Sequence, residues 1–135
     1  MKKLLLLFSL IAFIHCSKSN ANNSQNQTPD YSGKYHGTVT QKVTSGGSVN
    51  TQPYDMTIDI SKGDSAQELK ILFGSWLTLA TQNGTKFTIQ QTSFSGPIVT
   101  TGSGEFISAT ELNINYNQVI GGTGINNLNG KLTKF

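Results

Sequence analysis

From Tyr31 onward the chain alternates apolar and polar residues with a period of two, the pattern of strands that bury one face. Tyr35, Val39 and Val43 share a parity with Gly37 and Gln41, while Lys34, His36, Thr38, Thr40 and Lys42 take the other face. A Ser-Gly-Gly-Ser turn over 45–48 precedes Tyr54, Met56, Ile58 and Ile60, which alternate with Asp55, Thr57, Asp59 and Ser61. A turn over 62–65 leads to Leu69, Ile71 and Phe73, and Gly74-Ser75 breaks the pattern again. Leu77 and Leu79 are expected to point inward on the next strand, which puts Trp76, Thr78 and Ala80 outside. Asn83-Gly84 before Phe87 and Ile89 predicts a tight hairpin, because a type I′ turn needs positive φ at both central residues. Residues 92–104 are rich in Ser, Thr and Gly with Pro97, and predict a short strand and a loop. Glu105-Phe106-Ile107 then leads into Leu112, Ile114 and Tyr116. After the glycine-rich break at 121–124, Leu128, Gly130 and Leu132 close the chain.

These are about eight short strands with turn residues at regular spacing and no amphipathic helix of useful length. The fold class is therefore all-β: one antiparallel up-and-down meander closing into a small barrel, with a β-sandwich as the alternative. Closure removes the unpaired edges that let short sheets aggregate. The opening Tyr31-Ser32-Gly33-Lys34-Tyr35-His36-Gly37-Thr38 and the closing Leu112-Asn113-Ile114-Asn115-Tyr116 and Leu128-Asn129-Gly130-Lys131-Leu132 carry a resemblance. They resemble the strands of small lipocalin-like lipoproteins of the Bacteroidetes, which begin G-x-Y-x-G-T and end x-x-G-x-L-T-K. The resemblance spans the domain, implies a calycin-type barrel, and carries over no catalytic residue.

The first 30 residues read differently. Lys2 and Lys3 precede an apolar run from Leu4 to Ile14, about 11 residues, which suits a signal peptide over 1–15. It falls short of the roughly 20 apolar residues that span a bilayer. Cys16, the single cysteine, follows at once. The segment resembles bacterial lipoprotein signals, whose cysteine is acylated and becomes the new N-terminus, although Phe13, Ile14 and His15 stand where that family places small residues. A cut after Ala21, in Ser19-Asn20-Ala21, is the competing site and would release a soluble exported protein. With processing at Cys16, residues 16–30 are the lipidated cysteine and a polar tether too poor in apolar residues to fold, reaching a few nanometres from the lipid. The domain occupies 31–135.

This leader changes what the charge means. The formal charge of +3 includes Lys2 and Lys3; without them eight lysines face seven acids. There is no arginine, the side chain that grips phosphate or guanine in two-pronged fashion, so no nucleic-acid partner is expected. With its only cysteine acylated or removed, the domain must fold without disulfides or thiolate metal sites.

Candidate chemistry is sparse. His36 is the one histidine of the domain, on the solvent face between Lys34 and Thr38, so neither a metal nor another cofactor is expected. Asp55 and Asp59 share a face, but four residues along a strand is about 13 Å, beyond the roughly 6.5–9.5 Å of an inverting carboxylate pair. Glu105 and Glu111 could approach across a hairpin without any sign of desolvation. No serine sits in a G-x-S-x-G elbow, and the glycine-rich segments lack a phosphate-loop ending. An enzyme is not expected. Trp76 is the residue whose placement matters most. On the outer face it could stack on a sugar ring or fill a partner's pocket; at a bulge it could turn inward or cap the barrel mouth. Tyr35, Tyr54 and Tyr116 lie at inward positions and join it as candidate ligand- or partner-binding residues.

The reading is thus a lipid-anchored, non-enzymatic envelope barrel binding a small or apolar ligand, or a partner at its rim. The alternative is an accessory lipoprotein that holds an envelope protein or glycan through its exposed aromatic. The expected location is the outer membrane on the periplasmic side, because the residues after Cys16 lack an acidic surface-export cluster. A ligand carrier requires a cavity of roughly a few hundred Å³; Met56, Phe87 and the three tyrosines at inward positions favour a filled core. Oligomeric state is left open.

Overall fold

The computed structural model describes residues 29–94, 98–121 and 124–135. The leader, Cys16 and the tether up to residue 28 lie outside the described residues. Eight antiparallel strands run β1 (Gly33–Ser45), β2 (Ser48–Lys62), β3 (Glu68–Phe73), β4 (Trp76–Asn83), β5 (Lys86–Phe94), β6 (Ile98–Phe106), β7 (Glu111–Ile120) and β8 (Gly124–Lys134). Each pairs with its neighbours in sequence, and β8 returns to β1, so the sheet is a closed up-and-down barrel and not a sandwich.

Alternation explains the core. Tyr35, Val39, Met56, Ile58, Ile60, Leu69, Ile71, Phe87, Ile89, Leu112, Ile114, Tyr116, Leu128 and Leu132 are all buried on the inner face. Each such side chain withdrawn from water contributes about 1.5–3 kcal/mol, which must offset the entropy of ordering the wall.

The two ends of the barrel differ. At one end lie both termini of the described domain and the turns at 63–67, 84–85 and 107–110. Tyr31 crosses this end and stacks on Phe106 with centroids 4.0 Å apart and planes 2° apart. The Tyr35 hydroxyl donates to the Tyr31 carbonyl at 2.8 Å, and Phe87 lies 5.3 Å from Phe106. This end is a sealed aromatic plug. The opposite end carries the turns Gly46-Gly47 and Gly74-Ser75, and its wall is uneven. Strand β2 pairs with β1 along nearly its whole length but meets β3 only from Ile58 to Lys62. The β3–β4 hairpin turns back early, leaving a notch in the rim beside Tyr54.

Three expectations are corrected. In β4 it is Thr78 and Ala80 that are buried, while Leu77 is 50% exposed. The reason is register: a two-residue turn sets Phe73 opposite Trp76 and Ile71 opposite Thr78, and directly opposed residues share a face. Trp76 therefore has the inward parity. Second, residues 98–106 form a full strand, β6, and Glu105-Phe106 ends it instead of leading into β7. Its inward positions are Thr100, Gly102, Gly104 and Phe106, so there was little apolar alternation to read. A register shift between Ile89 and Thr92 in β5 moves the inward parity there. Third, Asn83 pairs with Lys86, and Gly84 is the turn residue with positive φ, 63°. That is the pattern of a type II′ turn with glycine first, in place of the expected I′.

Candidate functional site

The open end holds a cavity of about 330 Å³ whose lining includes Gln41, Tyr54, Met56, Phe73, Trp76, Tyr116, Gln118, Asn126 and Leu128. It brings together three of the four candidate residues: Trp76, Tyr54 and Tyr116. The fourth, Tyr35, is fully buried in the plug at the sealed end and acts as core. Trp76 and Tyr54 stand at the rim, 39% and 44% exposed, on either side of the notch. Each has inward parity, Trp76 through Phe73 and Tyr54 through Val39.

The cavity floor is a ring stack, Phe73 on Tyr116, with centroids 4.1 Å apart and planes 24° apart. Threonine hydroxyls contribute a polar patch on the inner wall. Thr78 Oγ1 and Thr92 Oγ1 share a hydrogen bond of 3.1 Å, and Thr100 Oγ1 donates to the Thr92 carbonyl at 3.4 Å. On the far wall an amide chain runs across three strands. Gln52 Nε2 donates to Gln41 Oε1 at 2.8 Å, and Gln41 Nε2 donates to Asn126 Oδ1 at 3.1 Å.

Next to this chain, opposite Asn126 in register, Gln118 is 4% exposed and its Nε2 finds no hydrogen-bond partner. Tyr116, two positions along the same face and 3% exposed, has a hydroxyl that also meets no partner in full hydrogen-bond geometry, with the Thr100 side chain close enough to act on it. Burial pushes the Tyr116 hydroxyl up to about 12, with Thr100 a smaller opposing influence, so the ring stays neutral through the physiological range. Buried polar atoms left unpaired typically cost about 1–3 kcal/mol each. Both unpaired atoms here belong to residues that line one cavity, which marks them as groups that await a partner.

The chain matches no family model and no curated protein sequence.

The other candidates are not assembled into a site. His36 lies exposed on the outer wall, its Nδ1 3.0 Å from Thr57 Oγ1 and its ring edge-on to Phe135 at 6.2 Å. Asp55 accepts from Thr38 Oγ1 at 2.7 Å, also on the outside. Glu111 pairs with Lys131 at 2.6 Å, and Glu105 lies opposite Asn113 and Lys86 in register. Among the described residues no cluster of three or more His, Cys, Asp or Glu is placed to hold a metal ion. Three larger depressions lie elsewhere, one of about 620 Å³ at the sealed end, one of about 620 Å³ on the outer wall over Gly104 and Gly130, and one of about 430 Å³ beside His36 and Phe135. None contains an unpaired buried side-chain atom among the described residues, which is what sets the mouth apart.

Sequence reasoning missed Gln118, Gln41, Asn126 and Phe73 as cavity residues. A signal for Gln118 existed: it continues the even parity of Leu112, Ile114 and Tyr116, so an amide was due on the buried face.

Proposed function

We propose that this protein is a lipid-anchored, non-enzymatic envelope barrel whose open mouth binds a small, largely apolar ligand. The observation that carries the reading is the pair of unpaired buried groups, Tyr116 OH and Gln118 Nε2, on residues that line a cavity with Trp76, Tyr54 and Phe73. A mostly apolar pocket with a few convergent polar groups is the usual form of a small-molecule site. The inward parity of Trp76 favours a ligand over the alternative, a protein or glycan held on an outward aromatic. Attachment to the outer membrane rests on the Lys2-Lys3 leader and Cys16, and the periplasmic facing on the lack of an acidic cluster in Ser17-Lys18-Ser19-Asn20.

Two experiments test the two halves. N-phenyl-1-naphthylamine, an uncharged dye that brightens in apolar surroundings, should bind the protein. It should lose that site in Trp76→Ala and Tyr54→Ala variants of unchanged thermal stability; equal brightening in both would remove the mouth as the site. Mass spectrometry of the mature N-terminus should find an acylated Cys16, and a peptide starting at Asn22 would rule out the anchor.

A further inference from the structure

We propose that the mouth selects uncharged ligands that carry a hydrogen-bond acceptor on a flat apolar body, with Gln118 and Tyr116 as the groups that read the acceptor. This rests on the reading of the mouth as a ligand site and adds the class of molecule it takes.

Three observations converge. The first is the chemistry of the unpaired atoms. Gln118 Nε2 can only donate, and a tyrosine hydroxyl can donate or accept, so a ligand carbonyl, ether or hydroxyl oxygen can accept from either. The two residues are separated by one position on the same face of β7, about 7 Å apart along the strand, which makes them neighbours on the cavity wall. The second is the missing charge. The cavity lining contains amides, hydroxyls, aromatics and aliphatics and no ionisable group other than tyrosines. Residues 41–54, 72–79, 117–121 and 124–128, which belong to this end of the barrel, hold one charged side chain, Lys42. Lys42 lies opposite Thr51 and Asn127 on the outer parity. A carboxylate or ammonium entering the cavity would lose water and meet no counter-charge, the costly case for burial. The third is shape. The stacked Phe73 and Tyr116 rings form the floor, and Trp76 and Tyr54 flank the entrance, giving planar apolar surfaces suited to an aromatic or fused-ring body.

Three naphthalenes of nearly equal size separate the possibilities by calorimetry: 2-acetylnaphthalene (neutral, with an acceptor), 2-ethylnaphthalene (neutral, without one) and 2-naphthoate (an anion). The proposal expects both neutral compounds to bind and 2-naphthoate to bind at least about a hundredfold more weakly than 2-acetylnaphthalene. Because the ethyl compound leaves water more readily, the informative quantity is the ratio of the two neutral affinities. Gln118→Leu should shift that ratio about tenfold against 2-acetylnaphthalene, and Tyr116→Phe should act in the same direction, with thermal unfolding recorded for each. Gln118→Met gives a second apolar replacement should the leucine variant fold poorly. An unchanged ratio in folded variants overturns the role of these residues as acceptor readers. Tight binding of 2-naphthoate overturns the selection for neutral ligands while leaving the mouth as a site. Binding by none of the three removes the mouth reading and this inference together.

Discussion

Phe73 of β3 and Tyr116 of β7 come from opposite walls of the barrel and stack face to face, 4.1 Å between centroids. The stack divides the lumen into a packed lower core and an open upper cavity. A barrel of eight strands is wide enough either to be filled or to hold one small ligand; this pair of rings does both, at different heights. Phe73→Ala should therefore destabilise the barrel by about 2–3 kcal/mol, from lost burial and a lost ring pair. It should also deepen the cavity, so that N-phenyl-1-naphthylamine binds as tightly or more tightly despite the lower stability. Urea unfolding and a dye titration on the same sample check both halves.

The sealed end should be the more sensitive one. Tyr31 closes it by stacking on Phe106 and accepting the Tyr35 hydroxyl through its carbonyl. Tyr31→Ala should cost about 3–4 kcal/mol. Tyr35→Phe, which removes only the hydroxyl and leaves that carbonyl unbonded, should cost about 1 kcal/mol. Neither should alter ligand affinity at the mouth in the folded protein, because the stack of Phe73 and Tyr116 lies between. Denaturation midpoints and calorimetric affinities check this separation.

Glycine at inward positions is a spatial requirement. A Cβ on Gly104 would run into the Phe87 ring, and one on Gly130 would sit 2.9 Å from the Val39 Cα. The Phe87 ring is held in turn by Phe106, so it has little freedom to yield. Gly104→Ala and Gly130→Ala should each lose about 1–3 kcal/mol through overpacking. The backbone neighbour at Gly130 should make it the worse of the two, as thermal unfolding of both variants will show.

Alkaline pH should weaken the fold through its buried tyrosines. Burial raises the Tyr116 hydroxyl to about 12, and it raises Tyr35 as well, with Asp30 and Tyr31 adding smaller contributions. Folded values above the unfolded value of 10.0 mean that the native state holds its protons longer than the unfolded chain does. Stability from this source is complete below about pH 10 and is lost as pH rises toward about 12. Tyrosinate absorbance from Tyr35 and Tyr116 should rise only as the barrel unfolds. In Tyr116→Phe the fall in stability over that interval should be shallower.

Much of this was legible in the chain, and the exceptions share a cause. The alternation from Tyr54 to Ile60 and from Leu112 to Tyr116 announces half-buried strands because large apolar residues sit on one parity only. In β4 both parities carry apolar residues, and Leu77 and Leu79 outweigh Thr78 and Ala80 by hydrophobicity. The two-residue turn at Gly74-Ser75 nevertheless forces Trp76 to follow Phe73. In β6 the inward residues before Phe106 are Thr100, Gly102 and Gly104, small because Phe87 and Ile89 occupy the space above them, so the strand leaves no hydrophobic trace. Gln118 was overlooked for the opposite reason: an amide on a buried parity breaks the rule that defines the strand, and such exceptions are where function tends to reside.

Occupation of the mouth by a small ligand can be read in a 1H–15N spectrum of the protein titrated with 2-acetylnaphthalene. The single tryptophan gives one indole cross-peak, so Trp76 reports on the rim without ambiguity. Binding at the mouth should give saturable shifts of that peak, of the Gln118 side-chain amide and of the Phe73 and Tyr116 backbone amides, with Tyr31, Tyr35 and Phe106 unmoved. Shifts confined to the sealed end or to the outer wall around Gly104 and Gly130, or no shifts at all, would contradict it.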